Sequence, residues 1–167
     1  MRVRTATDTD HDHILHVVQQ AFRGGDDEVR IVNDVRRLGA VIDDLELVAT
    51  IDDIVVGHAL TSVGDLDGRP VAAVAPLAVH PDWQGRGAGS ALITELIDRA
   101  EGQGWPLLAL LGNPAYYGRF GFEPAAALDI VYPPVDGPAF QVRRLTAYDR
   151  TWRGTFTYAW ETKEPAT

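Results

Sequence analysis

The chain has 167 residues, 46% of them hydrophobic, which suffices to bury a core in a single domain over residues 1–167. It contains no cysteine, which excludes a disulfide framework, a thiolate nucleophile and thiolate metal ligands. A net charge of −9 without a basic patch argues against nucleic-acid binding. The polar N-terminus and the lack of a long apolar run predict no secretory signal and no membrane span, hence a soluble cytoplasmic protein.

The first half of the chain predicts a strand, two helices and a β-hairpin. Apolar residues alternate over residues 1–6, and recur at helical spacing between the cap at Thr7-Asp8 and the stop at Gly24-Gly25. A second helix begins near Asp26-Asp27 and ends at Gly39. Residues 45–51 and 54–63 are rich in β-branched side chains around a tight connection, which is typical of a hairpin.

The second half predicts further strands around one long helix. Residues 70–79 form an apolar strand, in which Pro76 indicates a bulge, a bend or an unpaired edge. A helix over residues 87–101 and a strand over 106–111 follow, and then a short helix from Asn113 to Tyr117. Residues 128–132 and 140–145 are predicted to be a closing strand pair joined by a turn at 133–137. The whole is a mixed α/β domain (an α+β mixed sheet) with one central sheet, and the polar residues 161–167 form a frayed tail.

A glycine-rich loop joins the apolar strand to the long helix. Three glycines lie within five residues, at Gly85, Gly87 and Gly89. Free N–H groups and the dipole at the start of a helix favour a phosphate or pyrophosphate, and Arg86 can add a charged contact. The loop lacks the Gly-Lys-Ser/Thr of a P-loop, and its G-x-G-x-G spacing differs from the dinucleotide fingerprint G-x-G-x-x-G.

The surrounding sequence is more specific. Residues 84–89, Gln-Gly-Arg-Gly-Ala-Gly, match Q-x-x-G-x-G, and the run from Leu77 to Pro81 precedes them. Residues 117–122, Tyr-Gly-Arg-Phe-Gly-Phe, match Y-x-x-x-G-F. The two motifs, in this order, resemble the acetyl-CoA loop and the signature after the fifth strand of the GNAT superfamily of N-acetyltransferases. Residues 71–124 carry the resemblance, which extends to a bacterial subgroup of predicted N-acetyltransferases.

This resemblance implies a fold, a cosubstrate and a set of site residues. The fold has a central, mostly antiparallel sheet that splays between its fourth and fifth strands, where acetyl-CoA binds; no metal is needed. Tyr117 matches the family's general acid for the departing thiolate. The residues expected to bind the cofactor are Leu77, Ala78, Val79, Gln84, Gly85, Arg86, Gly87, Ala88, Gly89, Ser90 and Asn113. Tyr116 is expected to be either structural or directed at the cofactor.

The acceptor side of such a site carries no recognisable motif. The expected acceptor is a primary amine on a small molecule or a peptide, and the candidate bases are His80, Glu28, Asp26 and Asp27. The histidines at positions 11, 13 and 16 are expected to form a polar helix face and not a metal cluster. An aromatic patch of Trp152, Phe156, Tyr158 and Trp160 can cover the core, line the acceptor site or form a contact in a homodimer.

Two alternatives to an N-acetyltransferase stay open at this point. One is a module that binds acyl-CoA as a sensor without turnover. The other is an enzyme that transfers the acyl group to a hydroxyl.

Overall fold

A computed structural model describes residues 1–161. The strands are β1 (Arg2–Thr5), β2 (Val41–Ile51), β3 (Ile54–Leu66), β4 (Arg69–Val79), β5 (Leu107–Leu111), β6 (Glu123–Pro124), β7 (Ile130–Val131), β8 (Phe140–Arg144) and β9 (Gly154–Thr157). The helices are α1 (His11–Ala21), α2 (Asp27–Arg37), α3 (Ala88–Gln103) and α4 (Pro114–Tyr117). In this described part of the chain, no helix is long and apolar enough to cross a membrane.

One mixed sheet organises the molecule in the order β1-β2-β3-β4-β5-β8-β6. Neighbours along this path are antiparallel, except for the parallel pair of β4 and β5. The hairpin of β2 and β3 turns at Asp52 and Asp53, which both have positive φ and therefore suit a tight two-residue turn. The predicted fold class, a mixed α/β structure with a mostly antiparallel central sheet, is confirmed.

The helices cover both faces of this sheet. The apolar sides of α1 and α2 pack on one face against Val48, Leu60 and Ala78, whereas α3 packs on the other against Leu47 and Ala59. Helix α2 is also anchored by Arg36, whose guanidinium lies 2.8 Å from the buried carboxylate of Glu46 on β2. This ion pair fixes the register of α2, which carries Glu28 at its N-terminal end.

The central strands separate halfway along β4. Their last paired residues are Val74 and Leu110, yet β4 continues along β3 as far as the pair of Val79 and Gly57. Where the strands part, Ala75 and Pro76 lie opposite the single residue Leu60 and form a β-bulge. Of the three alternatives that Pro76 indicated, the bulge is the one observed; the Ala75–Pro76 peptide is cis. The splay leaves one backbone edge of β4 facing an opening.

The prediction for the end of the chain is wrong. Residues 128–132 and 140–145 do not pair with each other, because β8 lies antiparallel to β5 and β6, and β7 lies parallel to β9. A local hairpin would have left the apolar strand β5 without a partner on its outer edge, so the long-range pairing satisfies more backbone groups. The short strands β6 and β9 were missed, and the predicted tail lies almost entirely outside the described residues.

Candidate active site

The glycine-rich loop has the backbone geometry of an anion site. Gly85 and Gly87 have φ of 76° and 92°, a conformation that side chains other than glycine rarely adopt. Helix α3 begins at Ala88, and its first turn closes where the Ala91 N–H donates to the Gly87 carbonyl at 3.0 Å. The N–H groups of Ala88, Gly89 and Ser90 precede that bond and are available to an anion at the positive end of the helix dipole.

A cavity of about 440 Å³ lies over this loop, and we name it the glycine groove. Strand β4 and the loop form one wall, and the segment around α4 forms the other. Its lining residues are Leu77, Val79, Trp83, Gln84, Gly85, Gly87, Ala88, Gly89, Ser90, Tyr116 and Arg119. Eight of the predicted cofactor-binding residues therefore lie together, from Leu77 to Ser90.

Two side chains of the opposite wall were not assigned a firm role from the sequence. A Cβ atom at Gly89 would lie 2.7 Å from the Tyr116 hydroxyl, so glycine at this position lets that phenol reach the start of α3. The Arg119 guanidinium lies over the Tyr116 ring at 4.8 Å and brings a positive charge to the groove. Both residues stand inside the Tyr-Gly-Arg-Phe motif, but only the folded chain shows that they face the glycine loop.

A second cavity, of about 520 Å³, lies on the other side of the splay. We name it the aromatic cavity. Its lining residues are Phe22, Glu28, Ile31, Val74, Ala75, Pro76, Leu77, Leu110, Leu111, Gly112, Asn113, Tyr117, Tyr132, Tyr158 and Trp160. Leu77 lines both cavities, so they meet at the point where β4 and β5 diverge.

Tyr117 stands in the wall of the aromatic cavity in a closely defined position. Its ring packs so tightly over Gly112 that a Cβ atom there would overlap it, and it meets Tyr116 edge-on with ring centroids 4.9 Å apart. Burial, with a smaller contribution from Tyr116, raises the pKa of the Tyr117 phenol to about 12. The hydroxyl therefore remains protonated, and a hydrogen-bond donor, throughout the neutral range.

The remaining predicted cofactor residues occupy different surroundings. The Ala78 side chain is buried beneath α1 and α2, which leaves its backbone as the part that can face a ligand. Arg86 lies over the Trp83 ring at 5.0 Å, outside the lining of the glycine groove. Asn113 caps α4, since its Oδ1 accepts the Ala115 N–H at 2.9 Å, and it lines the aromatic cavity instead.

The structure separates the four candidate bases. Glu28 lines the aromatic cavity together with Tyr117. Asp26 and Asp27 are exposed at the start of α2. His80 lies near His16, with ring centroids 5.8 Å apart, and its Nδ1 accepts the Asp82 N–H at 3.2 Å. Glu28 is thus the candidate that the fold brings to the same cavity as Tyr117.

The aromatic patch near the C-terminus divides between the core and the cavity. Phe156 and Tyr158 are buried, while Tyr158 and Trp160 stack with centroids 4.4 Å apart and line the aromatic cavity. The Tyr158 hydroxyl is buried without a hydrogen-bond partner among the described residues. The Tyr132 hydroxyl, by contrast, donates to the Glu161 carboxylate at 2.7 Å.

This contrast predicts opposite effects of two hydroxyl deletions. A buried hydroxyl without a partner is unfavourable, so Tyr158→Phe is expected to raise the free energy of unfolding by about 1 kcal/mol. Tyr132→Phe removes a charge-assisted hydrogen bond and is expected to lower it by about 1–2 kcal/mol. Urea unfolding of both variants measures the difference. A destabilised Tyr158→Phe protein would mean that the hydroxyl has a partner in solution.

Comparison with known proteins places these features in a family. The model of the acetyltransferase (GNAT) family matches residues 15–122, which include the glycine loop and Tyr117. The chain belongs to the GNAT family. A relative in Escherichia coli, the uncharacterized N-acetyltransferase YhbS, is 35% identical over 150 residues, covering 87% of each protein. The membership predicted from the two motifs is confirmed.

Solved structures of GNAT proteins share the whole architecture. The crystal structure of YhbS from Escherichia coli in complex with CoA has a TM-score of 0.86 and 34% identity, covering 94% of this chain and 88% of that one. A GNAT family acetyltransferase from Brucella melitensis, in complex with acetyl-CoA, has a TM-score of 0.79 and 29% identity, covering 95% and 96%. The mixed sheet of this chain, with its one parallel pair of β4 and β5, therefore matches the fold of solved GNAT structures.

Proposed function

We propose that this protein transfers an acetyl group from acetyl-CoA to a primary amine by direct attack in a ternary complex. The observation that carries the proposal is the meeting of two cavities at Leu77, one with an anion-binding helix start and the other with a buried phenol and a carboxylate. The similar GNAT proteins with bound CoA and acetyl-CoA support the choice of cosubstrate.

The glycine groove would hold the pyrophosphate of acetyl-CoA. The N–H groups of Ala88, Gly89 and Ser90 would donate to its oxygens, and Arg119 would supply the opposite charge. The backbone edge of β4 between Leu77 and Val79, left open by the splay, would receive the amide-containing arm in the way a sheet edge receives a strand. The thioester would then lie near Leu77, at the entrance to the aromatic cavity.

Tyr117 would act on the sulfur as it leaves. When the amine nitrogen bonds to the thioester carbon and the C–S bond breaks, the electron pair of that bond remains on sulfur. A phenol with a pKa of about 12 is a weaker acid than an ordinary thiol, whose pKa is about 8.5, so full proton transfer from Tyr117 is uphill. Its role is therefore to donate a hydrogen bond that stabilises the thiolate, which finally takes the proton lost by the amine.

Glu28 would be the general base that deprotonates the acceptor. Because an ammonium has no free electron pair, the acceptor must lose a proton before it attacks. Glu28 is the candidate carboxylate that lines the cavity containing Tyr117, and it would accept this proton directly or through water. Asp26 and Asp27 are exposed and lie outside that lining.

The test combines calorimetric binding of CoA with thiol release from acetyl-CoA in the presence of a panel of amines. A thiol reagent reports released CoA alone, because the protein has no cysteine. We expect CoA to bind, amines to accelerate release, and the product mass to increase by one acetyl group on nitrogen. CoA binding without turnover on any amine would contradict the proposed enzymatic activity and support a non-catalytic sensor of acyl-CoA. A product acetylated on a hydroxyl would contradict the proposed amine acceptor.

The packing of the Tyr117 ring over Gly112 provides a second test, which leaves the hydroxyl intact. In Gly112→Ala the new methyl group would overlap the Tyr117 ring. The backbone at Gly112 is held by its N–H to Ala139 and by its carbonyl to Gln141, so the ring is expected to move. We expect the turnover number to fall about tenfold to 10²-fold, with CoA affinity retained.

The matched control is Gly102→Ala on the exposed side of α3, where the added methyl meets open space. It is expected to keep full activity and to gain up to about 1 kcal/mol of stability. Steady-state kinetics and urea unfolding measure both effects. Full activity of Gly112→Ala would show that the position of the Tyr117 ring does not matter to the reaction.

A further inference from the structure

The walls of the aromatic cavity consist mainly of aromatic and aliphatic side chains. Five aromatic side chains face it, and they are Phe22, Tyr117, Tyr132, Tyr158 and Trp160. The Tyr158 and Trp160 rings stack with an interplanar angle of 18°, and Tyr132 meets Tyr158 edge-on at 88°. Flat walls of this kind bind a flat apolar group with little loss of side-chain freedom, because the rings already support one another.

The charge in the cavity is equally restricted. Over residues 1–161, Glu28 is the one charged side chain in the lining. This part of the lining contains neither lysine nor arginine. Arg119 lies in the glycine groove on the other side of Leu77. An ammonium ion in the aromatic cavity would meet the Glu28 carboxylate, which attracts it, beside several aromatic rings. A carboxylate there would meet Glu28 and, among the lining residues of the described part of the chain, no cationic partner.

We propose that the acceptor is a small monoamine carried on an aromatic or similarly flat apolar body, without a carboxylate. This inference rests on the proposed acetyl transfer. The cavity volume of about 520 Å³ fits a small molecule. A linear diamine would bury a second ammonium although Glu28 is the one carboxylate in the lining over residues 1–161, and an amino acid would bury a carboxylate beside Glu28.

The reaction balances with this acceptor. The ammonium gives one proton to Glu28, which passes it to solvent. The neutral nitrogen then bonds to the thioester carbon while the C–S bond breaks; the sulfur takes one of the two remaining amine protons and leaves as free CoA thiol, and the other proton stays on the amide nitrogen. The product amide is neutral, so it loses its attraction to Glu28 and can leave the cavity.

The kinetic arm compares amines that differ in one group. Phenethylamine and tryptamine are measured against phenylalanine and tryptophan, which add a carboxylate, and against 1,4-diaminobutane and a lysine-containing peptide. We expect kcat/KM for the two arylalkylamines to exceed that of each matched amino acid by about 10²-fold, because a site that leaves a buried charge unpaired discriminates strongly. Preference for the amino acids, the diamine or the peptide would overturn the proposed acceptor class, although acetyl transfer itself would stand.

The binding arm does not depend on turnover. Phenethylamine is titrated by calorimetry into the protein saturated with CoA. Glu28→Gln and Trp160→Ala are each expected to weaken binding about tenfold, through loss of the charge and of the stacked wall respectively. The control is Asp34→Asn, which removes a carboxylate from the same helix outside the cavity, where Asp34 lies 3.6 Å from Arg37 at the surface.

The two arms separate failure of this inference from failure of the proposed function. Phenethylamine binding that depends on Glu28 and Trp160 but gives no thiol release would support the cavity assignment and contradict acetyl transfer. Binding that all three variants weaken equally, or that none of them weakens, would overturn the cavity assignment. Absence of any phenethylamine binding would overturn it as well.

Discussion

Tyr117→Phe is expected to lower the turnover number by about 10²-fold and to leave the affinity for CoA nearly unchanged. The substitution keeps the ring, which packs over Gly112 and against Tyr116 and Phe122, and removes only the hydroxyl. Lost stabilisation of the thiolate therefore accounts for the expected decrease. Since acetyl-CoA carries no charge on sulfur before attack, its binding does not require the hydrogen bond. Single-turnover thiol release and calorimetric titration with CoA measure the two quantities.

The pH dependence tests the same assignment. Burial raises the pKa of Tyr117 from 10.0 to about 12, so the wild-type rate is expected to show no alkaline decline from this group until the pH approaches that value. The raised pKa also stabilises the fold below pH 10, and that contribution is lost as the pH rises from 10.0 to about 12. Equal rates for wild-type and Tyr117→Phe protein at every pH would remove the phenol from the mechanism. A rate loss accompanied by equal loss of CoA affinity would assign it to binding.

The sequence predicts local structure best where backbone chemistry is restrictive. The glycine loop, the Asp52-Asp53 turn and the bulge at Pro76 each depend on conformations that few residues adopt, so the residue types alone indicate them. The predicted pairing of the late strands is wrong for the opposite reason. Whether Phe140–Arg144 pairs with a sequence neighbour or with β5 depends on which edge needs covering, and that is a property of the assembled sheet.

The site divides along the same line. Its residues on the glycine loop are contiguous in sequence, so one motif predicts them together. The aromatic cavity combines Glu28 from α2 with Tyr117 from α4 and Trp160 near the end of the described chain, and no spacing in the sequence links them. From the sequence alone, the carboxylates at positions 26, 27 and 28 are equally good candidates for the base. Only the direction of α2 in the folded chain shows that Glu28 is the one that lines the cavity. Arg119 was likewise visible in a motif, but its position over Tyr116 depends on the turn after α4.

Gly87→Asp is expected to reduce CoA affinity by at least about 10²-fold. Gly87 precedes the first turn of α3, and a side chain there would extend into open space over the glycine groove. A carboxylate about 5 Å from a phosphate charge is opposed by about 3 kcal/mol at an effective dielectric constant of about 20, which corresponds to this loss of affinity. The substitution is not expected to destabilise α3, because Gly87 is the N-cap of this helix and aspartate is a favourable N-cap residue. Calorimetric titration with CoA measures the effect.

Gly87→Asn isolates the charge from the backbone strain, because asparagine has nearly the same shape, also caps helices and tolerates the left-handed φ of 92° better than most residues. It is expected to bind CoA at least about tenfold more tightly than Gly87→Asp.

A second control, Gly68→Asp, places the same carboxylate on a left-handed glycine in the remote turn between β3 and β4, and it is expected to bind CoA normally. If Asp and Asn at position 87 weakened binding equally, the loss would come from backbone conformation, and the anion would not lie against the start of α3. If Gly87→Asp bound CoA like the unmodified protein, the assignment of the glycine groove to the pyrophosphate would be wrong.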